Sequence, residues 1–186
     1  NEESRALVHS FRAEFDAIII GGNTLRRDNP LLTTRGIKNP EPLRVVFTKS
    51  LDLPTKSNLW DCNKAKTLVI YDSSKANEKF LTRLPECVEV EKISSDNPEL
   101  ISKLLAKRGC NKVLWECGPK LATSAVKSEC INEIISFIAP KIIGGENSMS
   151  PLGDFEYTEM NEIIKLSDSK FSLIANDICV KSSFKN

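Results

Sequence analysis

Apolar segments of strand length alternate with amphipathic segments of helical length over the first two thirds of the chain. The strand-like segments are rich in valine, isoleucine and leucine. The predicted strands are residues 15–20, 43–47, 67–71, 87–90, 112–116 and 133–138. This alternation is typical of a mainly parallel sheet with helices on both faces, because each parallel connection has to cross the sheet. The sequence therefore predicts one α/β domain over residues 1–186.

The C-terminal third has a different pattern. Short alternating segments at residues 163–166, 171–174 and 178–180 predict strands with no helix between them. Such strands pair antiparallel, so we expect a mixed sheet with antiparallel strands added at one edge.

Composition and cysteine spacing exclude several classes of protein. The net charge of +1 gives no general attraction to nucleic acid or an anionic membrane. The longest apolar runs, such as residues 17–20, are far shorter than the roughly 18 residues that span a bilayer. The first residues do not resemble a signal peptide, and the sequence does not begin with methionine, so we expect a processed product or a fragment.

The cysteines do not follow a metal-binding pattern. The chain has six cysteines, no C-x-x-C pair and one histidine, His9, which predicts reduced thiols in an intracellular compartment and no metal site. His9 lies on the predicted opening helix. We interpret it as a surface or partly buried residue and not as a general acid.

Two predicted strand-to-helix junctions carry glycine. The first contains Gly21 and Gly22, and the second contains Gly118. Glycine lets backbone amides approach a phosphate, and a helix N-terminus attracts negative charge. Two such junctions in one sheet could hold the two halves of a dinucleotide, although each alone fits a tight turn equally well.

Longer segments resemble a known family. The run G-G-N-T-L-R-R-D-N-P-L-L-T-T-R at residues 21–35 resembles the segment that marks the reductase of riboflavin biosynthesis, the family of the RibD C-terminal domain. Three further segments, at residues 44–54, 114–121 and 138–145, fit that family in the expected order, as does Asn176-Asp177-Ile178. The resemblance implies a dihydrofolate-reductase-like fold and NADPH-dependent reduction.

The resemblance also implies roles for individual residues. Leu32, Arg35 and Glu116 correspond to substrate contacts, and the guanidinium of Arg35 suits a substrate phosphate. Asp28, or a bound water, is the candidate proton donor. The residues that correspond to cofactor contacts are Thr24, Asp28, Gly118, Pro119, Lys120, Leu121, Ala122, Thr123 and Ser124. Outside this resemblance, a solvated loop residue is the favoured interpretation of Arg35.

The family converts the ribosyl side chain of 5-amino-6-(5-phosphoribosylamino)uracil to the ribityl form. The resemblance therefore implies a phosphorylated pyrimidine as substrate, a homodimer, and a deaminase domain fused to the reductase in the parent chain. Cytosol and plastid stroma both suit such a protein with reduced thiols.

The sequence departs from the family pattern at three places. Lys49 stands near a position where the family has a serine that contacts the cofactor, and Cys117 replaces a glycine. Beside a cofactor, this thiol could make the site sensitive to oxidation. The family's first strand, which is central in its sheet, has no counterpart in this sequence. The alternative hypothesis is therefore a non-catalytic module that serves as scaffold or regulatory partner of a pyrimidine deaminase.

Overall fold

A five-stranded parallel sheet is the largest element of the computed structural model, which describes residues 1–145, 148 and 150–185. Its strands are β1 (Ala17–Gly21), β2 (Leu43–Thr48), β3 (Thr67–Asp72), β4 (Glu89–Ile93) and β5 (Val113–Trp115). They lie in the order β4-β3-β2-β1-β5. The α/β architecture predicted from the alternating pattern is confirmed.

The described residues form four α-helices and two 3₁₀ helices. The α-helices are α1 (Glu2–Ala13), α2 (Gly22–Asp28), α3 (Pro98–Lys107) and α4 (Pro119–Lys127), and the 3₁₀ helices are Asn58–Trp60 and Glu78–Arg83. The side chains of Asn1 and Asn97 cap α1 and α3 by accepting backbone N–H groups. In contrast, the N-cap residues of α2 and α4 are Gly21 and Gly118, which provide no side-chain cap.

Both faces of the parallel sheet are covered. On one face, Ile18, Ile20 and Val46 pack against α2 and the 3₁₀ helices. On the other face, Ile19 and Val45 pack against α3 and α4. Successive strand residues point to opposite faces, so one continuous apolar run in β1 supplies both cores.

The C-terminal strands form a second, antiparallel sheet. It contains β6 (Glu133–Ile138), β7 (Leu166–Ile174) and β8 (Asp177–Phe184) in the order β6-β8-β7. Antiparallel C-terminal strands are thus confirmed. The sequence predicts that they extend the edge of the parallel sheet, but within the described residues they form a sheet that is not hydrogen-bonded to it. The pattern that predicted β6 showed only an apolar strand, and it did not reveal that β8 is its partner.

Helix α1 packs against the antiparallel sheet. The ring of Phe11 lies 6.5 Å from the ring of Phe137 in β6, measured between centroids. At the start of the helix, Ser4 Oγ donates a hydrogen bond of 2.7 Å to the Asp177 carboxylate of β8. That bond lowers the pKa of Asp177 and is the largest cause of the shift.

The edge strands of the two sheets, β4 and β5 in one and β6 and β7 in the other, have one neighbour each among the described residues. Among the described residues, β5 pairs only with β1, and β6 pairs only with β8. Each therefore has one edge whose N–H and C=O groups lack a strand partner. The expectation of a further central strand stays a prediction.

The cysteine prediction is wrong for one pair. Cys62 and Cys87 form a disulfide, whereas Cys110, Cys117, Cys130 and Cys179 are free. Two loops that are 25 residues apart bring the Cα atoms of the bonded pair to 6.2 Å, and no local spacing marks such a pair.

Within the described part of the chain, no helix is long and apolar enough to cross a membrane. In the same residues, no group of three or more histidine, cysteine or acidic side chains is placed to hold a metal ion.

Candidate cofactor and substrate site

The two glycine junctions lie against each other at the carboxyl edge of the parallel sheet. They do so because β1 and β5 are neighbouring parallel strands. A Cβ atom at Gly118 would lie 3.7 Å from Thr24 Oγ1, and one at Gly21 would lie 3.7 Å from Leu121 Cδ2. A side chain at either glycine would fill the space between the junctions.

The helices that follow these junctions present unblocked N-termini. Neither α2 nor α4 has a side-chain cap or an acidic residue in its first turn. The first backbone N–H groups of a helix have no partner within the helix, so they are available to an anion. With the glycines beside them, these two N-termini fit the phosphates of a dinucleotide.

An arginine on α1 holds the glutamate of the second junction. Arg12 Nε donates to Glu116 Oε2 at 2.9 Å, and its NH2 group donates to Glu116 Oε1 at 2.6 Å. Arg12 NH1 also donates to the carbonyl oxygen of Thr33 at 3.0 Å. One buried guanidinium thus joins α1, the end of β5 and the loop that leads to Arg35.

Sequence reasoning missed Arg12. Its partner Glu116 is 104 residues away along the chain. A signal was present, because Ser4, Val8 and Arg12 are four residues apart and therefore share one face of the helix. An arginine that continues a partly apolar stripe of a helix requires a buried partner.

The predicted substrate residues Leu32 and Arg35 differ in exposure. Leu32 is 1% exposed and packs in the core of the parallel sheet. Arg35 is exposed on a turn that is stabilised by hydrogen bonds to the carboxylate of Glu41. Glu41 accepts from Thr34 N at 2.6 Å and from Gly36 N at 3.4 Å, on either side of Arg35.

Comparison with known proteins identifies the family. The sequence matches the model of the RibD C-terminal domain over residues 1–180. The chain belongs to this family.

Its relatives include proteins named for riboflavin biosynthesis. RibD of Synechocystis sp. is 41% identical over 179 residues, which are 95% of this chain and 48% of that protein. The chloroplastic protein PYRR of Arabidopsis thaliana is 40% identical over 179 residues, 95% of this chain and 30% of that protein. A 2,5-diamino-6-ribosylamino-4(3H)-pyrimidinone 5′-phosphate reductase of Aquifex aeolicus is 27% identical over 169 residues, 89% of this chain and 75% of that protein.

The solved structures agree on the fold. RibD of Acinetobacter baumannii superposes with a TM-score of 0.81 at 22% identity, covering 100% of this chain and 51% of that one. The fold is dihydrofolate-reductase-like. The chain spans about half, or less, of the length of the RibD and PYRR relatives.

The departures from the family pattern have structural consequences. Lys49, at the end of β2, forms an ion pair with Asp96, and the hydrogen bond from Lys49 is the largest cause that lowers the pKa of Asp96. Burial raises the pKa of Cys117 to about 12. A thiol that stays protonated is a poor nucleophile, so Cys117 is less prone to oxidation than its position in the sequence suggested.

The remaining predicted cofactor residues lie at the ends of α2 and along α4. Asp28 is exposed at the C-terminal end of α2, and Lys120 is exposed in the first turn of α4. Pro119, Ala122 and Ser124 are half-buried. Thr123 is buried, and its Oγ1 accepts a hydrogen bond of 2.7 Å from Gly153 N, so it fastens the segment after β6. The structure thus groups Thr24 with the start of α4 and places Asp28 one helix length away from that junction.

Proposed function

We propose that the chain is the reductase domain of a riboflavin-pathway enzyme, which uses NADPH to reduce the ribosyl side chain of 5-amino-6-(5-phosphoribosylamino)uracil to the ribityl form. Membership of the RibD C-terminal domain family supports this function, as does the reductase among the relatives. The observation that carries it is the Arg12–Glu116 pair next to the adjoining glycine junctions. In this proposal, the carboxylate that Arg12 orients would lie beside the bound dinucleotide.

The cofactor side is formed by the two junctions. Thr24 and the start of α4 at Gly118 would bind the phosphates through backbone N–H groups and the Thr24 hydroxyl. The rest of the first turns of α4, through Ser124, would line the cofactor. When bound, the nicotinamide supplies the hydride that reaches C1′ of the opened sugar. The chain's contribution is to bind and orient the two reactants.

The substrate side is formed by Glu116 and the loop from Leu32 to Arg35. Glu116 uses one lone pair of each oxygen on Arg12, and a carboxylate has about four in all. The others are free to accept hydrogen bonds from substrate hydroxyl or amino groups. Arg35 would bind the phosphate with its planar guanidinium. Asp28, alone or through a water, is our candidate source of the proton that completes the reduction.

The intact protein would contain more than this chain. Because the chain covers 48% of its Synechocystis relative, we propose a fused pyrimidine deaminase domain. We also propose a homodimer, because Phe171 and Leu173 of β7 are 71% and 77% exposed, which is unusual for large apolar side chains on neighbouring sheet positions. The cytosol or, as for the PYRR relative, a plastid would be its compartment.

We further propose that the intact protein places a strand between β5 and β6. Each of these strands has one edge without a partner among the described residues. A strand that paired with both would join the two sheets into one mixed sheet. Backbone amide exchange in β5 and β6 of the intact protein tests this, since paired amides exchange slowly. Fast exchange at both edges would contradict the proposal.

The direct test of function is oxidation of NADPH by the intact protein. The deaminated and the non-deaminated phosphoribosylaminopyrimidine are supplied side by side, and the product is identified by a gain of two hydrogen masses. NADH serves as the comparison cofactor. Turnover with either substrate supports the reductase. A folded protein that binds NADPH without turnover would favour the non-catalytic module.

The site is tested by Glu116→Gln. Loss of the carboxylate charge weakens both the bond to Arg12 and the bond to the substrate, so we expect kcat/KM to fall by about 10- to 100-fold. Glu133→Gln is the matched control. Glu133 of β6 also forms an ion pair, with Lys181 of β8, but both residues lie in the antiparallel sheet and outside the proposed site. Equal activity of the two variants would remove Glu116 from the substrate site.

A further inference from the structure

A cleft of about 650 Å³ lies between α1 and the turn that carries Arg35. Its polar lining includes Arg5, His9 and Ser10 from the helix, and Arg35 from the turn. Arg5 and His9 are four residues apart, so they project from the same face of α1. Neither residue belongs to the site described above.

The cleft has an excess of positive charge. Arg5 and Arg35 form no ion pair with any carboxylate in the described part of the chain. Glu2 is the one acidic residue in the lining. Two guanidinium groups and one carboxylate in the lining leave an excess of positive charge that attracts an anion, and the planar guanidinium matches the oxygens of a phosphate.

His9 is oriented by the network around Arg12. Its Nδ1 lies 3.3 Å from Arg12 NH1 and 3.2 Å from the Thr33 carbonyl oxygen. The Thr33 carbonyl oxygen can only accept and the guanidinium can only donate, but both contacts engage Nδ1 and neither involves Nε2. Nε2 is therefore the ring nitrogen that is left for a ligand in the cleft.

The cleft lies at a suitable distance from Glu116. At 1.5 Å per residue, His9 and Arg5 are about 5 and 10 Å further along the axis of α1 than Arg12, which holds Glu116. In a 5-phosphoribosyl group, the phosphate is at the opposite end of the sugar from the reacting C1′. A sugar that has C1′ near Glu116 can thus extend along α1 with its phosphate in the cleft.

We propose that Arg5 and His9, together with Arg35, bind the phosphate of the substrate. The identity of this phosphate as that of a 5-phosphoribosylaminopyrimidine rests on the proposed function. The recognition itself requires only a sugar phosphomonoester. Arg35 and Arg5 bind the phosphate from opposite walls of the cleft, and Nε2 of His9 forms the third hydrogen bond.

The test measures the binding of ribose 5-phosphate and of ribose to the intact protein by calorimetry. Arg5→Gln weakens the binding of ribose 5-phosphate by about tenfold, as expected for one charge-assisted hydrogen bond, and leaves the binding of ribose unchanged. Arg5→Lys retains the charge but not the planar group, so its affinity lies between the two. The matched control is Arg83→Gln, an exposed arginine on the second 3₁₀ helix. It binds as the unmodified protein does.

His9 provides a second measurement. It is the one histidine of this chain, so in the chain itself its imidazole resonance needs no assignment. Ribose 5-phosphate shifts this resonance and ribose does not. In steady-state kinetics, Arg5→Gln raises KM and leaves kcat and the Kd for NADPH unchanged.

Two results would overturn the proposal. One is equal affinity of Arg5→Gln and Arg83→Gln for ribose 5-phosphate, and the other is a loss of NADPH affinity in Arg5→Gln, which would assign the cleft to the cofactor. Failure of the reductase function is distinguishable from both. Arg5-dependent binding of ribose 5-phosphate without any turnover leaves the phosphate site in place and removes the proposed reaction.

Discussion

The two sheets of this chain differ in how far their apolar side chains are buried. In the parallel sheet, Ala17, Ile18, Ile19 and Ile20 are all fully buried. In the antiparallel sheet, the large apolar residues Phe171 and Leu173 are mostly exposed. Hydrophobic stabilisation scales with the apolar area removed from water, so we expect the parallel sheet to supply most of the stability of the chain.

The register of the antiparallel sheet shows which face is uncovered. Ile138, Ile178 and Leu173 lie directly opposite one another across the three strands and share one face. The next row, which includes Phe137, points the other way and meets Phe11 of α1. One face thus packs on the helix, and the opposite face is apolar and exposed. The difference between the sheets is therefore a difference in what covers them.

The largest effect is expected at Arg44, a charged residue inside the parallel sheet. It is fully buried, and burial lowers the pKa of its guanidinium. The guanidinium donates to the carbonyl oxygens of Leu31, Asn58, Leu59, Asp61 and Ala65. Arg44→Ala leaves these acceptors without a partner, so we expect the free energy of unfolding to fall by about 3–5 kcal/mol in urea titrations.

The control for Arg44 is Arg44→Lys, which keeps a charge but reaches fewer carbonyls and should lose less. A loss below about 1 kcal/mol in Arg44→Ala would mean that water or a rearranged loop satisfies the carbonyls. The loops around β2 would then contribute less to the stability of the parallel sheet than their contacts indicate.

A matched pair of truncations compares the two sheets directly. Ile70→Ala, in the core of β3, should reduce the free energy of unfolding by about 2–4 kcal/mol, because it leaves a cavity. Leu173→Ala, on the uncovered face, should change it by less than about 0.5 kcal/mol. Both are measured by chemical denaturation of this chain. If Leu173→Ala is as damaging in the intact protein as Ile70→Ala, a partner covers that face in solution.

The sequence predicted the elements better than their arrangement. The apolar run of β1 and the glycines at 21 and 118 were visible, because burial and turn chemistry are local signals. The order of strands, which brings Gly118 against Thr24, is a long-range property that no local pattern records. For the same reason, the sequence did not reveal Arg12 as the partner of Glu116.

Arg44 is a second residue whose role the sequence did not reveal. The sequence predicts an apolar strand at residues 43–47, and the local pattern assigns no role to Arg44, its one charged residue. Its acceptors are carbonyls of loops between residues 31 and 65, which form only when the chain has folded. A buried charge in a strand therefore signals a loop network, and the sequence alone does not say which loops take part.

The smallest effect concerns β5, the edge strand of the parallel sheet next to β1. Asp16 Oδ2 accepts hydrogen bonds from Asn111 N at 2.8 Å and Lys112 N at 2.9 Å, which ties the start of β5 to β1. The bond from Lys112 is the largest cause that lowers the pKa of Asp16. A carboxylate with a lowered pKa stabilises the fold above its unfolded pKa of about 3.9, and this contribution disappears as the pH falls through the folded pKa.

Asp16→Asn isolates this contribution, because asparagine keeps an oxygen acceptor but has no charge. The original chain should exceed the variant in free energy of unfolding by about 1 kcal/mol near neutral pH, and the difference should shrink as the pH is lowered below 4. Whether this stabilisation is lost globally or only in β5 shows how far the cooperatively folded part of the parallel sheet extends. If global unfolding records the difference, β5 belongs to the same cooperative unit as β1–β3. If global stability is unchanged and only the amides of β5 exchange faster, β5 opens independently of the rest of the parallel sheet. The less stable part of the chain then includes this edge strand as well as the antiparallel sheet.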